Sequence, residues 1–319
     1  MDAPSVAARE TPPYPAAVPV PRAAIHCAAV TEDLRLRVND MNFAALAWGP
    51  ENGPLALCLH GFPDSAWTWR HLLPELADAG FHAVAPFLRG YAPTAIPADG
   101  VYQTAALGMD AIHLHDALGG AGDAVIIGHD WGAMATYIAA AHAPERWRRV
   151  VTMAVPPAGS VAGGFLTYKQ LQRSWYMFFF QHGLADIAVG MDDLAFIDGL
   201  WADWSPGYDA TEDLPHVKDC LRDPANLAAA IGYYRATLGG VGVDPALDDV
   251  QAKGALPTPQ PTLYLHGRTD GCMGLEVAET ATAFLTAEGS RMEVVDDAGH
   301  FLQLEQPEVV NRLVLDFVS

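Results

Sequence analysis

Asp123-Ala-Val-Ile-Ile-Gly128-His129-Asp130-Trp131-Gly132-Ala133-Met-Ala-Thr-Tyr-Ile-Ala-Ala-Ala141 decides how this chain folds. An unbroken apolar run up to Gly128 has the character of a strand buried on both faces. From Ala133 onward, small and apolar residues without a breaker predict a helix. Between them stands Gly-x-Asp-x-Gly. A sharp strand-to-helix turn of this kind tolerates only small residues two positions either side of its centre, here Gly128 and Gly132, and lifts the central side chain into a cavity. Asp130 then sits at a helix N-terminus, where the helix dipole favours negative charge. A carboxylate in that place needs no base to activate it as a nucleophile. Taken alone, the turn is equally compatible with an aspartate that only caps a helix.

Working outward, short apolar runs alternate with longer amphipathic ones, which predicts βα repeats and a mostly parallel sheet. The expected strands are Leu34–Val38, Asn42–Trp48, Leu55–His60, His82–Pro86, Ala124–Ile127, Val150–Val155, Thr262–Leu265 and Arg291–Val295. The first two are close enough to form an antiparallel start. Expected helices include Trp67–Ala79, Thr104–Leu118, Met134–His142 and one from Pro307 to Phe317, Pro being favoured in a first helical turn. The alternation fails between Val155 and Thr262, in an interval rich in aromatics and helical in pattern. The expectation is therefore an α/β core of residues 26–156 and 246–319. A mainly helical cap, 157–245, lies over the strand ends, where open α/β sheets bind ligands. Residues 1–25 form a Pro/Ala-rich arm without the basic start or apolar stretch of a signal peptide.

Composition bounds the partners. With 319 residues the chain can bury a large core. Its 18 basic and 38 acidic side chains give a formal charge of −20. Such a surface repels nucleic acid and anionic membranes, so neither is expected as a partner. No apolar window is long enough to span a bilayer. Cys27, Cys58, Cys220 and Cys272 are far apart, without a CxxC pair, which fits a reduced, cytoplasmic protein.

A nucleophilic carboxylate forms an ester, and the ester needs a general base to activate water. Sheets carrying this elbow supply nucleophile, acid and histidine in that chain order. Asp270 ends the strand-like run from Thr262, and His300 lies in the loop between the last strand and the last helix. Asp270 would hold the His300 tautomer and stabilise its imidazolium. The sequence contains 12 histidines, so chain order and loop position single out His300. His129, His60 and His266 are assigned to packing and hydrogen bonding. Asp296 and Asp297 are too near His300 in sequence to be favoured as its partner. After Leu55–Leu59 comes His60-Gly61-Phe62-Pro63. The loop there and the residue after the nucleophile provide the oxyanion-hole N–H groups, which assigns Phe62 and Trp131.

These residues resemble those of the α/β-hydrolase-fold epoxide hydrolases from about residue 30 to the end. The matching stretches are His60-Gly-Phe-Pro63, Asp64-Ser-Ala-Trp67-Thr-Trp-Arg70, Arg89-Gly-Tyr91, Gly128-His-Asp-Trp-Gly-Ala133, Gly267-Arg-Thr-Asp270 and Gly299-His300-Phe301. They mark the branch with an Asp nucleophile, which also holds haloalkane and fluoroacetate dehalogenases. Two further segments look like those carrying the family's ring-opening tyrosines. These are Ser174-Trp-Tyr176-Met-Phe-Phe-Phe-Gln181, with the tyrosine five residues before Gln181, and Gly232-Tyr-Tyr234-Arg235. The resemblance thus implies Tyr176 and Tyr234 as acids, with Tyr233 facing about 100° away on the helix. Ala92 stands where the family usually has Gly, which bears on one loop's shape. Phe62 stands where many dehalogenases carry Asn, and Trp131 where fluoroacetate dehalogenases usually carry Arg.

The activity so implied is opening of an apolar epoxide with water to a vicinal diol, by a monomer or homodimer. No metal or organic cofactor is implied, since neither a ligand-spaced cluster nor a phosphate loop stands out. The rivals are a haloalkane dehalogenase and a catalytically silent ligand-binding module of the same fold.

Overall fold

A computed structural model describes residues 31–319; the expected arm and Cys27 lie outside the described residues. The core is one eight-stranded sheet: β1 (Thr31–Val38), β2 (Met41–Trp48), β3 (Leu55–Leu59), β4 (His82–Pro86), β5 (Ala124–His129), β6 (Trp147–Met153), β7 (Thr262–Gly267) and β8 (Arg291–Val295). Their spatial order is β1-β2-β4-β3-β5-β6-β7-β8. β2 runs antiparallel to β1 and β4; every other neighbouring pair is parallel. The early antiparallel pair and all eight strands agree with the pattern in the sequence. β3, β4, β5 and β7 are buried along their whole length, which explains why their sequences are continuous apolar runs without alternation.

The helices that flank the sheet include α1 (Leu72–Asp78), α2 (Thr104–Ala117) and α3 (Trp131–His142). A helix expected over Trp67–Ala79 is in fact two pieces. Ala66–Trp69 forms a 3₁₀ turn capped by the Ser65 hydroxyl, and α1 begins only at Leu72. Pro74 is the cause: lacking an N–H, it fits the first turn of a helix and so fixes where α1 starts.

Of the eight α-helices between β6 and β7, seven lie before residue 245. They are α4 (Ala158–Gly164), α5 (Tyr168–Arg173), α6 (Trp175–Phe179), α7 (Leu184–Gly190), α8 (Ala195–Trp204), α9 (Leu214–Leu221) and α10 (Pro224–Tyr234). They are followed by α11 (Asp248–Lys253), which packs on α2 and α3 of the core. The chain ends with α12 (Leu275–Ala278), α13 (Leu302–Glu305) and α14 (Pro307–Val318). Among the described residues no helix is long and apolar enough to cross a membrane.

The chain runs from β3 to its neighbour β4 and then crosses back past β3 to β5, on the other side. A crevice opens at such a reversal, outside the carboxyl ends of the strands. The His60-Gly61-Phe62-Pro63 loop and Asp130 both fall at this place.

The inserted helices are tied to that crevice through Arg89. Its guanidinium makes a bidentate pair with Asp110, at 2.6 Å for both bonds, and donates to the Val101 carbonyl at 2.7 Å. The Tyr233 hydroxyl then donates to the Arg89 carbonyl at 2.7 Å. Both charged partners are buried. Asp110→Ala should therefore cost about 3–5 kcal/mol, because it leaves the guanidinium uncompensated in the interior. A fall in the urea midpoint at unchanged slope would check this; an unchanged midpoint would show the pair to be structurally idle.

Candidate active site

Asp130 joins β5 to α3 with φ 53° and ψ −117°, a conformation costly for any residue bearing a Cβ and concentrated at functional positions. Three glycines make the turn possible by close approach. A Cβ on Gly128 would overlap the Gly132 carbonyl, one on Gly132 would overlap the Leu59 carbonyl, and one on Gly61 would overlap the Asp130 carboxylate itself. The loops after β3 and β5 therefore touch backbone to backbone.

This contact orients the carboxylate. The Phe62 N–H donates to Asp130 Oδ1 at 2.8 Å. Oδ2 points the other way, 3.8 Å from His300 Nε2. Burial pushes the Asp130 carboxyl above its usual range, while His300 and the N–H groups of Phe62 and Trp131 pull it back. The helix terminus alone does not keep the group ionised; those neighbours share the task. Pro63 completes the loop by accepting the Trp201 indole N–H at 2.8 Å. His60 fixes the loop from behind: Nε2 accepts the Leu88 N–H at 3.0 Å, so Nδ1 donates to the Gly61 carbonyl at 2.9 Å.

His300 Nδ1 donates to Asp270 Oδ2 at 3.0 Å. The second oxygen of Asp270 accepts the N–H groups of Cys272 and Met273 at 2.7 and 2.9 Å. Burial alone would raise Asp270, but His300, His266 and the Met273 N–H outweigh it and hold the carboxyl below its ordinary value. For His300 burial would lower the pKa, and Asp270 with Asp130 reverses this to a net rise. His300 Nε2 is buried without a hydrogen-bond partner. With Nδ1 carrying the proton, Nε2 offers a lone pair beside Asp130.

The neighbouring histidines behave as packing groups. His129 Nε2 donates to the His300 carbonyl at 2.9 Å, and burial holds its pKa well below normal. His266 bridges the Tyr264 hydroxyl and the Met273 carbonyl at 2.7 and 3.1 Å. Asp296 is exposed and paired with Arg268 instead of His300.

Tyr176 of α6 and Tyr234 at the end of α10 stand across the same cavity. Their rings meet edge to face with centroids 5.5 Å apart. The Tyr234 ring also packs on Trp131 and Phe62, at 4.9 and 5.2 Å. Its hydroxyl is buried and unpaired, whereas the Tyr176 hydroxyl lies 3.4 Å from Cys272 Sγ. Burial raises both phenols well above 10, so they keep their protons. Tyr233 is occupied with the Arg89 carbonyl, which separates the two adjacent tyrosines as the 100° helical offset predicts.

Three supports escaped the sequence reading. Gln181 Nε2 donates to the carbonyls of Met177 and Tyr234, at 2.9 and 3.0 Å, and Arg235 Nε to that of Phe180 at 3.0 Å. These bonds lock the two tyrosine segments together. The Trp204 carbonyl at the end of α8 accepts the N–H groups of both Gly271 and His300 at 3.0 Å, joining the loops that carry Asp270 and His300. Gln170 bridges the Cys272 carbonyl and the Gly274 N–H at 2.8 and 3.0 Å. Each acts through a backbone group distant in sequence, so spacing offered no signal.

The cavity holds about 650 Å³. Asp130 is its one carboxylate, and Trp131, Met134, Met177, Tyr176 and Tyr234 supply much of the wall. Sheet order, elbow and acid-histidine pair together define an α/β hydrolase with aspartate at the elbow.

Comparison with known proteins leads to the same class. The sequence matches the family described as alpha/beta hydrolase fold over residues 54–307. It is 31% identical over 295 residues to an epoxide hydrolase of Caballeronia sordidicola, covering 83% of this chain and 88% of that protein. It is 29% identical over 321 residues to epoxide hydrolase 4 of Homo sapiens, covering 98% and 83%. Among solved structures, epoxide hydrolase A of Mycobacterium thermoresistibile superposes with a TM-score of 0.75 at 26% identity, over 91% of this chain and 98% of that one. The chain belongs to the α/β-hydrolase-fold epoxide hydrolase family and is a hydrolase.

Proposed function

We propose that this enzyme adds water to a neutral, apolar epoxide through a covalent ester on Asp130. The observation that supports this most is the opposition, across one apolar cavity, of an oriented carboxylate and two buried phenols. Asp130 Oδ2 attacks an epoxide carbon. As the C–O bond breaks, its electron pair moves to the ring oxygen, which accepts hydrogen bonds from Tyr176 and Tyr234 and takes a proton from one of them. Oδ1 becomes the carbonyl oxygen of the ester, already held by the Phe62 N–H. Water entering beside Nε2 loses a proton to His300 and attacks Cγ. The oxyanion on Oδ1 is stabilised by the N–H groups of Phe62 and Trp131. Collapse breaks the Cγ–O ester bond: the departing oxygen takes the proton held by His300, the carboxyl proton brought by water returns to the tyrosinate, and the diol leaves with Asp130, His300 and both phenols restored.

In this reading residues 157–245 act as the cap that brings the phenols over the nucleophile. Charged epoxides are disfavoured because the cavity wall has no Lys or Arg and no carboxylate besides the nucleophile Asp130 to pair with them. A cytoplasmic location is supported by Cys58, Cys220 and Cys272, all buried free thiols.

One turnover in ¹⁸O-water, followed by mass analysis of the peptide containing Asp130, tests the mechanism. Attack at Cγ places label in the Asp130 carboxylate. Diol formation with no label there would mean direct attack of water on the epoxide.

The raised pKa of His300 also has a kinetic sign. A protonated His300 cannot activate water, so ester hydrolysis falls as pH drops through the pKa that His300 has in the ester. The Asp130 charge, one cause of the rise, vanishes in the ester. Single-turnover hydrolysis of the ester should therefore have a lower midpoint than the His300 titration of the free enzyme followed by NMR. Equal midpoints would remove Asp130 as a contributor.

A further inference from the structure

Cys272 has no part in the steps above, yet it faces them. Its Sγ, an Asp130 carboxylate oxygen and a ring nitrogen of His300 all lie within 4.8 Å of one another, and all three residues are buried. Nitrogen, oxygen and sulfur converge from three separate loops, after β5, β7 and β8. We propose that Asp130, Cys272 and His300 form an inhibitory site for one thiophilic divalent cation, of the Zn²⁺ or Cd²⁺ type.

Two of the three donors are free for this. His300 Nδ1 is committed to Asp270, which leaves Nε2 unpartnered and aimed at Asp130. Asp130 Oδ2 is 3.8 Å from Nε2, its other oxygen being held by Phe62. Tetrahedral bonds of about 2.0 Å to nitrogen and 2.3 Å to sulfur put neighbouring donors about 3.5 Å apart, so a small inward movement closes the site. The hydrogen bond from His300 Nδ1 to the Asp270 carboxylate supplies the outer partner typical of a metal-bound imidazole. The Cys272 Sγ interacts with the Tyr176 hydroxyl at 3.4 Å, and burial keeps the thiol protonated. Binding releases that proton to solvent and leaves a metal thiolate. Soft sulfur and borderline imidazole select Zn²⁺ or Cd²⁺, whereas Mg²⁺ and Ca²⁺ prefer all-oxygen sites. A bound ion would occupy both the Asp130 oxygen and the His300 lone pair.

Metal binding stands independently of the epoxide reading; only its inhibitory effect rests on that reading. The test is titration of the purified protein with CdCl₂, watching the ultraviolet thiolate-to-cadmium charge-transfer band. One saturating ion per chain is expected, with the band lost in Cys272→Ser. His300→Gln should keep a band but weaken affinity by at least about tenfold, the loss seen even for outer partners of metal sites. An absent band, a band persisting in Cys272→Ser, or unchanged affinity in His300→Gln would overturn the site. In parallel, ZnCl₂ should inhibit epoxide turnover of the wild type at concentrations tolerated by Cys272→Ser. A Cys272-dependent band in a protein that turns over no epoxide would retain the site and reject the activity.

Discussion

His300→Gln should convert the enzyme into one that reacts once and stops. Asp130 Oδ2 needs no base, so alkylation of the carboxylate should proceed at close to the wild-type rate. Hydrolysis of the ester should slow by about 10²–10⁴-fold, the usual contribution of a positioned general base. The expected record is a burst of one equivalent of epoxide consumed per chain, with an intact mass heavier by one substrate. Glutamine keeps a polar group near Nε2, and the Asp270 carboxylate retains its Cys272 and Met273 N–H donors. A variant that loses the burst as well would place His300 in the first step and contradict the division of labour between the two oxygens of Asp130.

Tyr176→Phe combined with Tyr234→Phe should have a comparably large effect on the other half of the cycle. Removing one donor to a developing oxyanion costs about 10²–10³-fold. Paired donors are not additive, so the double variant should lose at least about 10³-fold in the burst rate. Both rings stay in place, the Tyr176 hydroxyl gives up only its long contact with Cys272 Sγ and the Tyr234 hydroxyl makes no hydrogen bond within normal geometry, so the melting temperature should change little. The same variant separates the reading from a haloalkane dehalogenase, whose leaving group needs no proton. Halide release from a bromoalkane that survives both substitutions would favour the dehalogenase, with the unpaired Trp131 indole N–H as the halide donor.

The sequence made the fold legible because the strands that position the site are buried on both faces. β5 and β7 are continuous buried runs, one ending directly before Asp130 and the other three residues before Asp270. The break at Arg70–His71 was not anticipated, because helical periodicity carries across it and only Pro74 marks the new start. Asp130, Asp270 and His300 could be proposed from their places in the loops after β5, β7 and β8. Tyr176 and Tyr234 could not: among so many aromatics no local physics selects them, and the family resemblance pointed to both. Cys272 was legible only as one of four scattered thiols. Its approach to Asp130 and His300 depends on the turn after Asp270, held by Gln170 and the Trp204 carbonyl, contacts that bridge long stretches of chain.

The bonds from Gln181 and Arg235 have a consequence for how this enzyme can vary. Because each runs from a side chain in one tyrosine segment to a backbone carbonyl in the other, the two phenols form a single rigid jaw. The side chains of Met177 and Phe165 line the cavity beside that jaw and take no part in the bonds that fix it. Substitutions there can reshape the chamber for a bulkier or slimmer guest while the distance between proton donors stays fixed. Selectivity and reactivity are thus adjusted by different side chains, and a library confined to the wall residues should change which guest is taken before it changes how fast a good guest reacts.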